Sequence, residues 1–233
     1  MKKILGLNKL TRNRFFLPGV IIAFLLGLFL MLSSEVQEAA AGQPELIVGV
    51  DGFLLNFFAS LRNPWLNAVA VDITALGSTT VLTLLTTVFV LFMLMLKRKE
   101  LAIHLIVAST GAGLISKTMK AFFGRDRPSI VEKLVFVQGH SYPSGHSLAS
   151  AAVYLTLALL SYELLQKTAH KGLVFLVAAF IVVLIGLSRI YLGVHYPTDV
   201  AGGILVGTSW ALGLTALNST LQTRKKTRVG ASK

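Results

Sequence analysis

Residues 173–189 read L-V-F-L-V-A-A-F-I-V-V-L-I-G-L-S-R, an apolar run that ends in a serine and an arginine. One helix needs about 20 predominantly apolar residues to cross a bilayer, and this run comes close to that length. Similar runs cover residues 15–32, 79–96, 101–123, 147–165 and 199–217. The chain is therefore predicted to be an all-α polytopic membrane protein with six transmembrane helices.

The composition supports this fold class. Of the 233 residues, 54% are hydrophobic and only 14% are charged, whereas a soluble domain carries about a quarter charged residues. The apolar runs follow one another with short connections, so we expect one integral membrane domain over residues 1–233, with its core helices in residues 101–217. The chain has no cysteine, which excludes disulfides and thiolate metal sites.

The segment 43–78 differs in character from the apolar runs. It mixes large apolar side chains with polar and charged residues, and Pro64 follows an arginine and an asparagine. We interpret it as an interfacial amphipathic helical segment between the first and second spans, with a short helix after Pro64. The alternative is a shallow second span that is broken at Gly77.

The first apolar run raises the question of a signal peptide. It follows a basic N-terminus, residues 1–14, and three alanines at positions 39–41 resemble a small-residue cleavage site. The run is long for the apolar core of a signal peptide. We therefore favour an uncleaved transmembrane helix.

The positive charge follows the connections between apolar runs. The net charge is +12, and basic residues cluster in the N-terminus, at 97–99, at 167–171 and in the tail 218–233. With both termini in the cytoplasm, the six-span topology places all four clusters on the cytoplasmic side, as the positive-inside rule requires. The charge therefore indicates topology and gives no reason to expect nucleic acid as a partner.

Three polar clusters stand apart from this pattern. They are K-A-F-F-G-R-D-R-P (residues 120–128), P-S-G-H (143–146) and S-R-I-Y-L-G-V-H-Y-P-T-D (188–199). The first ends the third span, the second opens the fourth, and the third joins the fifth to the sixth. In the six-span topology all three meet at the outer face, and ionisable groups at that depth indicate a functional site.

The clusters contain groups that bind a phosphate dianion. Arg127 and Arg189 offer planar forks to phosphate oxygens, and Lys120 offers a point charge. Ser144 and Gly145 lie at the predicted start of the fourth span, where free backbone N–H groups attract anions. From the residues alone, Ser144 is a helix cap, and the glycine lets the backbone approach an anion closely.

Three further residues suit phosphoryl transfer. His195 and Asp199 lie four apart around the predicted start of the sixth span, so the aspartate can accept one ring N–H of the histidine. The other ring nitrogen is then free to attack phosphorus. His146 titrates near neutrality, so it can protonate a leaving alkoxide and then activate water.

Each cluster also has an ordinary structural explanation. The P-S-G-H cluster can be a turn and cap, residues 125–128 a solvated loop, and His195 with Asp199 a structural bridge, while Lys120 can extend to the membrane surface. We expect Asp126 to pair with one of its neighbouring arginines. The joint occurrence of the clusters at one membrane depth favours the functional explanation.

Together the clusters form a known signature, K-x6-R-P, then P-S-G-H, then S-R-x5-H-x3-D, and every defined position and spacing is met. The chain therefore resembles the type 2 phosphatidic acid phosphatase superfamily. Within it, the chain is similar to the membrane-bound bacterial branch of phosphatidylglycerophosphate and undecaprenyl pyrophosphate phosphatases. The match extends from the third span to the sixth and is loose in the N-terminal third.

The resemblance implies a six-helix fold with its active site on the extracytoplasmic face of the bacterial cytoplasmic (inner) membrane. It implies a phosphohistidine intermediate on His195 and no metal or other cofactor. In this reading Asp199 orients His195, and His146 acts first as acid and then as base. The residues that would hold the phosphate are Lys120, Arg127, Ser144, Gly145 and Arg189.

The expected function is hydrolysis of a lipid phosphate or pyrophosphate, with that lipid and the membrane lipids as partners. The sequence does not choose among phosphatidylglycerophosphate, phosphatidic acid, undecaprenyl pyrophosphate and lipid A phosphates, and it does not indicate an oligomeric state. Phosphate transfer to a lipid acceptor is an alternative. So is a non-catalytic carrier of lipid phosphates, although a carrier has no need of both His146 and His195. The superfamily also contains vanadate-dependent haloperoxidases, which are soluble, as this chain is not.

Overall fold

A computed structural model describes residues 2–40, 42, 46–164 and 168–231, with side chains described for residues 17–39, 42, 47–162 and 170–219. Within these residues all regular structure is helical, which confirms the predicted fold class at that level. The helices are α1 (Lys2–Ala40), α2 (Leu46–Ser60), α3 (Pro64–Ala75), α4 (Thr79–Met95), α5 (Lys99–Phe123), α6 (Gly145–Leu164), α7 (Thr168–Tyr191) and α8 (Pro197–Ala231).

Four of these helices contain a stretch that is long and apolar enough to span a bilayer. They are Leu17–Ala39 in α1, Lys99–Phe123 in α5, His170–Tyr191 in α7 and Pro197–Ser219 in α8. The pair α3 and α4 also meets this criterion, but it is bent by 44° at its break. The chain is thus a multi-pass membrane protein with four candidate spans in its described part, or five with the bent pair, where the sequence predicts six.

The predicted span that is missing from this set is the one at 147–165, where the structure has helix α6. Position 165 lies outside the described residues. The helix packs against α4, α5, α7 and α8. Most of its buried positions carry small or polar side chains, among them Ser150, Ala151 and Thr156. Helix contacts inside a membrane favour such residues, and these side chains lower the mean hydropathy of α6.

The predicted interfacial segment 43–78 forms the helices α2 and α3, and its first residues, 43–45, lie outside the described part. The helix α3 begins as predicted, because the side chain of Asn63 accepts a backbone N–H at 3.0 Å and Pro64 takes the first helical position. The chain then breaks between α3 and α4 around Gly77. This is the position that the alternative of a broken span names.

The helix α2 turns a carboxylate inwards and apolar side chains outwards. Asp51 and Leu55 are buried where α2 meets α7 and α8, whereas Phe53 and Phe57 are exposed. An amphipathic helix on a soluble protein has the opposite arrangement. The outward face of α2 is therefore suited to lipid, and its buried carboxylate needs a partner inside the protein.

The helices α6 and α8 approach each other so closely that side chains are excluded from part of their contact. A Cβ atom at Gly207 would lie 2.3 Å from the carbonyl oxygen of Leu148, and one at Gly203 would lie 2.6 Å from that of Ser144. Such close approach of membrane helices gains van der Waals packing. It also fixes the start of α6 against α8.

We predict that Gly207→Ala destabilises the protein by about 1–3 kcal/mol, because the added methyl group must displace the backbone of α6. The measurement is the midpoint of thermal unfolding in detergent micelles. The control is Gly213→Ala, also on α8, where a Cβ meets nothing within 4 Å. Alanine favours a helix over glycine, so the control should keep or raise the midpoint. Equal midpoints for the two variants would contradict the close contact.

Candidate active site

The three sequence clusters come together at one end of the helical bundle. The end of α5 carries Lys120, the α5–α6 loop carries Arg127, and the α7–α8 loop carries His195. A hydrogen bond from the backbone N–H of Ser144 to the carbonyl oxygen of Asp199, at 2.9 Å, joins the start of α6 to the start of α8. Residues from five segments of the chain thus form one polar centre.

His195 and Asp199 form a buried pair at this centre. Pro197 begins α8, so Asp199 lies in its first turn and faces back towards the preceding loop. Its Oδ2 lies 3.2 Å from Nδ1 of His195 and accepts the backbone N–H of Tyr196 at 2.9 Å. The hydroxyl of Ser141 donates to the same oxygen. These contacts fix the direction in which the carboxylate points.

Arg127 determines which nitrogen of His195 carries the proton. Its Nη1 lies 3.2 Å from Nε2 of His195, and a guanidinium can only donate. Nε2 is therefore the acceptor, and the proton lies on Nδ1, where it can bond to Asp199. Burial lowers the pKa of His195 to about 4, against the opposing effect of Asp199, so the imidazole is neutral at pH 7 and the lone pair of Nε2 accepts from Arg127.

The rest of the Arg127 guanidinium is bound to backbone carbonyl groups. It donates to Val194 at 2.8 Å, to Gly139 at 2.9 Å and to Gln138 at 3.0 Å. Burial lowers the pKa of Arg127 from its usual value, yet an arginine stays protonated in proteins. Arg127 therefore ties the α5–α6 loop to the α7–α8 loop while its charge remains unneutralised.

Lys120 lies in the last turn of α5 and next to the start of α6. Its Nζ donates to the carbonyl oxygens of His140 at 2.6 Å and Ser141 at 3.1 Å. A Cβ at Gly145 would lie 3.6 Å from Cε of Lys120 and 3.0 Å from the hydroxyl of Ser116. The glycine thus keeps this side of the helix start open, and the N–H groups of the first turn of α6 have no partner within the helix.

Ser144 is placed differently from the other predicted phosphate-binding residues. Its side chain is fully buried, and its hydroxyl accepts from the hydroxyl of Ser147 at 3.0 Å and from the backbone N–H of Ser147 at 3.5 Å. Its own N–H is used by Asp199. In this arrangement Ser144 is the cap of α6, which is the role that its position alone predicts.

Arg189 and His146 complete the set of predicted residues. Arg189 is only 3% exposed, and its Nη1 donates to Thr74 of α3 at 2.9 Å. Its buried Nε has no partner in the described part of the chain. His146 borders a cavity of about 310 Å³ that Lys120 and Gly145 also line. The break at Gly77 makes room there, since a Cβ at that position would lie 3.3 Å from the ring of His146.

The sequence analysis does not identify two residues of this polar centre, Arg125 and Asp51. Nη1 of Arg125 lies 2.7 Å from Oδ1 of Asp199, and Nη2 lies 2.9 Å from Oδ2 of Asp51. The expectation that Asp126 pairs with a neighbouring arginine is wrong. Asp126 is exposed and forms none of the ion pairs found in the described residues, because Arg125 turns inwards to two buried carboxylates.

One sequence signal does point to Asp51. A lone aspartate inside the apolar stretch L-I-V-G-V-D-G-F-L-L (residues 46–55) is costly to bury unless it is paired. That signal indicates a buried partner without saying which residue it is. The described residues contain no group of three or more histidine, aspartate or glutamate side chains able to hold a metal ion.

The sequence matches a profile of the PAP2 superfamily over residues 101–222. Phosphatidylglycerophosphatase B of Bacillus subtilis (strain 168) is 34% identical over 170 residues, which cover 72% of this chain and 83% of the relative. A putative undecaprenyl-diphosphatase of Escherichia coli (strain K12) is 35% identical over 149 residues, or 62% of this chain and 69% of the relative.

The fold has a close counterpart among solved structures. The crystal structure of the transmembrane PAP2 type phosphatidylglycerolphosphate phosphatase from Bacillus subtilis superposes with a TM-score of 0.78 at 30% identity. The superposition covers 85% of this chain and 96% of that chain. With the profile match over α5 to α8 and this likeness, the chain belongs to the PAP2 superfamily, as its three sequence clusters predict.

Proposed function

We propose that the protein is an integral membrane lipid phosphatase that removes a terminal phosphate from a lipid phosphate or pyrophosphate through a phosphohistidine on His195. One observation carries this proposal. Arg127 approaches Nε2 of His195 at 3.2 Å while Asp199 lies behind Nδ1, so the lone pair of a neutral imidazole points to a cation that phosphate would also seek.

The charge distribution supports one orientation in the membrane. Six crossings, made by α1, the bent pair α3 and α4, α5, α6, α7 and α8, leave the basic segments 1–14 and 218–233 in the cytoplasm. The active site then lies at the extracytoplasmic face of a bacterial cytoplasmic membrane, within one domain. The burial of α6 among four other helices supports counting it as a crossing, since it needs no lipid-facing surface.

In the first chemical step, Nε2 of His195 attacks the phosphorus, a P–N bond forms, and the P–O bond to the lipid breaks. His146 gives a proton to the leaving oxygen. The charges of Lys120, Arg127 and Arg189 stabilise the oxygens of the transferring phosphoryl group. The incoming phosphate takes over the N–H of Arg127 that Nε2 accepts beforehand.

In the second step, His146 has lost its proton and can act as a base. It takes a proton from a water molecule, whose oxygen attacks the phosphorus of the phosphohistidine. The P–N bond breaks, inorganic phosphate leaves, and His195 returns to its neutral form. The proton taken up by His146 restores the starting state for the next lipid.

The surroundings of the site support a lipid substrate. The cavity beside His146 is also lined by Gly77 and Thr79 at the α3–α4 break and by Gly113 of α5, so a lipid tail has room at membrane depth. The named activities of the relatives from Bacillus subtilis and Escherichia coli support phosphatidylglycerophosphate and undecaprenyl pyrophosphate as the first candidates, with phosphatidic acid as a simpler analogue.

We predict that purified protein in detergent releases inorganic phosphate from these lipids with excess chelator present. His195→Ala removes the nucleophile and should abolish release, and Asp199→Asn should lower kcat by about 10⁴-fold because the wrong tautomer is favoured. The control is His170→Ala, an exposed histidine at the other end of α7, which should keep full activity. Phosphate release by folded His195→Ala protein, with folding checked by thermal unfolding, would refute the proposed nucleophile. Phosphate that appears bound to lipid would indicate transfer instead of hydrolysis.

We also predict that His146→Ala separates the two steps. With 4-nitrophenyl phosphate the leaving group needs no proton, so the first step proceeds, whereas the second step lacks its base. The expected result is a burst of about one equivalent of 4-nitrophenol per protein molecule, followed by slow turnover. The trapped protein should carry phosphate in a linkage stable to alkali and labile to acid. An acid-stable linkage would assign the nucleophile to another residue type.

A further inference from the structure

Lys117 is a cation that the mechanism leaves unused. It lies on α5 one turn before Lys120, and its side chain is exposed. It lines the same cavity of about 310 Å³ as Lys120 and His146. In the described part of the chain it makes neither a hydrogen bond nor an ion pair.

A charged side chain at the position of Lys117 costs free energy, because it lies at membrane depth. The residue lies inside the candidate span Lys99–Phe123, about 9 Å along the axis from the end of the helix. Charged residues at such depth are rare and usually mark a binding site or a pathway. A lysine can also extend to the membrane surface without binding anything, so the two explanations must be separated by experiment.

In the proposed reaction, we expect the leaving group to lie beside Lys117. His195 attacks phosphorus in line with the bond that breaks, and the proton donor His146 must lie next to the leaving oxygen. Because His146 borders the cavity, the part of the lipid attached to that oxygen lies in the cavity as well. Lys117 and Lys120 are three residues apart, so their Cβ atoms are about 5–6 Å from each other.

We propose that Lys117 binds a second phosphate, carried by the leaving group, and so selects lipids with two phosphates over lipids with one. Lipid diphosphates and phosphate monoesters with a neighbouring phosphodiester have this chemistry, and phosphatidic acid does not. Lys117 has this role only if the protein is the lipid phosphatase proposed above. Lysine suits it, because an ammonium acts as a point charge without a fixed fork geometry.

The test compares substrates that share a tail. Values of kcat/KM are measured for farnesyl diphosphate against farnesyl monophosphate, and for dioleoyl phosphatidylglycerophosphate against dioleoyl phosphatidic acid. Lys117→Met should lower kcat/KM about tenfold or more for the two-phosphate lipids, as for a lost charged hydrogen bond, and less than about threefold for the others. Lys117→Arg should keep most of the selectivity. Lys133→Met, which removes an exposed charge from the α5–α6 loop, should change neither value.

The outcomes separate this subsite from the proposed function. Loss of selectivity in Lys117→Met with retained activity on the one-phosphate lipids supports the subsite. Equal effects on both members of each pair, or no effect, overturn it while the proposed function stands. Failure of the unmodified protein to hydrolyse any of the four lipids overturns the proposed function itself.

A separate observation concerns Asp51, which reaches the centre from α2. Its carboxylate accepts the backbone N–H of Thr198 at 3.0 Å, the hydroxyl of Thr198 at 2.6 Å and Nη2 of Arg125 at 2.9 Å. Both Asp51 and Thr198 are buried. The helix α2 lies outside residues 101–222, the part of the chain that matches the superfamily profile.

Arg125 connects Asp51 to the nucleophile. It binds Oδ1 of Asp199, whereas Oδ2 of the same carboxylate faces His195. Burial opposes the charge on Arg125, but Asp199 and Asp51 raise its pKa above the usual value. The ring of Tyr196 lies 4.1 Å from the guanidinium carbon and covers it. Asp199 thus shares its negative charge between a fixed cation and the imidazole.

We infer that Asp51 and Arg125 are positioning residues for Asp199. By holding Oδ1, Arg125 aims Oδ2 at His195, and by attracting the carboxylate charge it limits how strongly Asp199 favours protonation of His195. Asp51 holds Arg125 and the start of α8 in place. The docking of α2 therefore supplies a part of the active site that the signature residues lack.

The test is the pH dependence of kcat. In Arg125→Gln no guanidinium neutralises the charge of Asp199 at Oδ1, so Asp199 favours protonation of His195 more strongly and the acid limb of the kcat profile should shift to higher pH. The other groups that face His195 stay in place, namely Lys120 of α5, Arg127 of the loop, His146 of α6 and Arg189 of α7. At the optimum kcat should fall about 10- to 100-fold with KM nearly unchanged, as for lost orientation. Arg125→Lys should restore part of both.

The second arm of this test is Asp51→Asn, alone and combined with Arg125→Gln. If Asp51 acts through Arg125, the double variant should lose little more kcat than Arg125→Gln alone. Asp72→Asn, an exposed carboxylate on α3, should leave kcat and its pH profile unchanged. Variants that lower only the unfolding midpoint, with an unshifted acid limb and unchanged kcat, would reduce both residues to a structural role.

Discussion

The site depends on the carboxylate of Asp199. It is fully buried, and its oxygens are shared among the guanidinium of Arg125, the hydroxyl of Ser141, the N–H of Tyr196 and the ring of His195. A buried carboxylate is tolerated only when its lone pairs are satisfied, so the α5–α6 loop, the α7–α8 loop and the start of α8 must close around it. Folding of this end of the bundle therefore also fixes the orientation of the His195 ring.

The cations around the centre are held in two different ways. Arg125 is paired with two carboxylates, which neutralise its charge and hold it in place. Lys120 and Arg127 are held by backbone carbonyl oxygens, and Arg189 by a threonine hydroxyl. Neutral acceptors fix a side chain without cancelling its charge, so these three cations remain charged and repel one another. The choice of hydrogen-bond acceptor thus distinguishes these three cations from Arg125, and it is the reason why we propose them as the phosphate-binding groups.

The sequence predicts the parts of this protein that depend on local pattern. Apolar runs reveal α1, α5, α7 and α8, and His195 with Asp199 can be paired because four residues separate them. It does not reveal the partner of Asp51, since Arg125 lies 74 residues further along the chain and no spacing rule links them. The prediction that Asp126 pairs with a neighbouring arginine is wrong for the same reason, because Arg125 binds carboxylates that are distant in the sequence. An apolar run also predicts α6, but the small and polar residues at its helix contacts lower its mean hydropathy, and it is not among the candidate spans of the described residues.

The bond between the Ser144 N–H and the Asp199 carbonyl oxygen has a kinetic consequence. Together with the glycine contacts between α6 and α8, it joins the start of α6 to the loop that carries His195. An enzyme that assembles its site by closing a lid spends time on that motion in every cycle. The proposed active site needs no such closure, because its helix start and its histidine loop are already joined before a lipid binds.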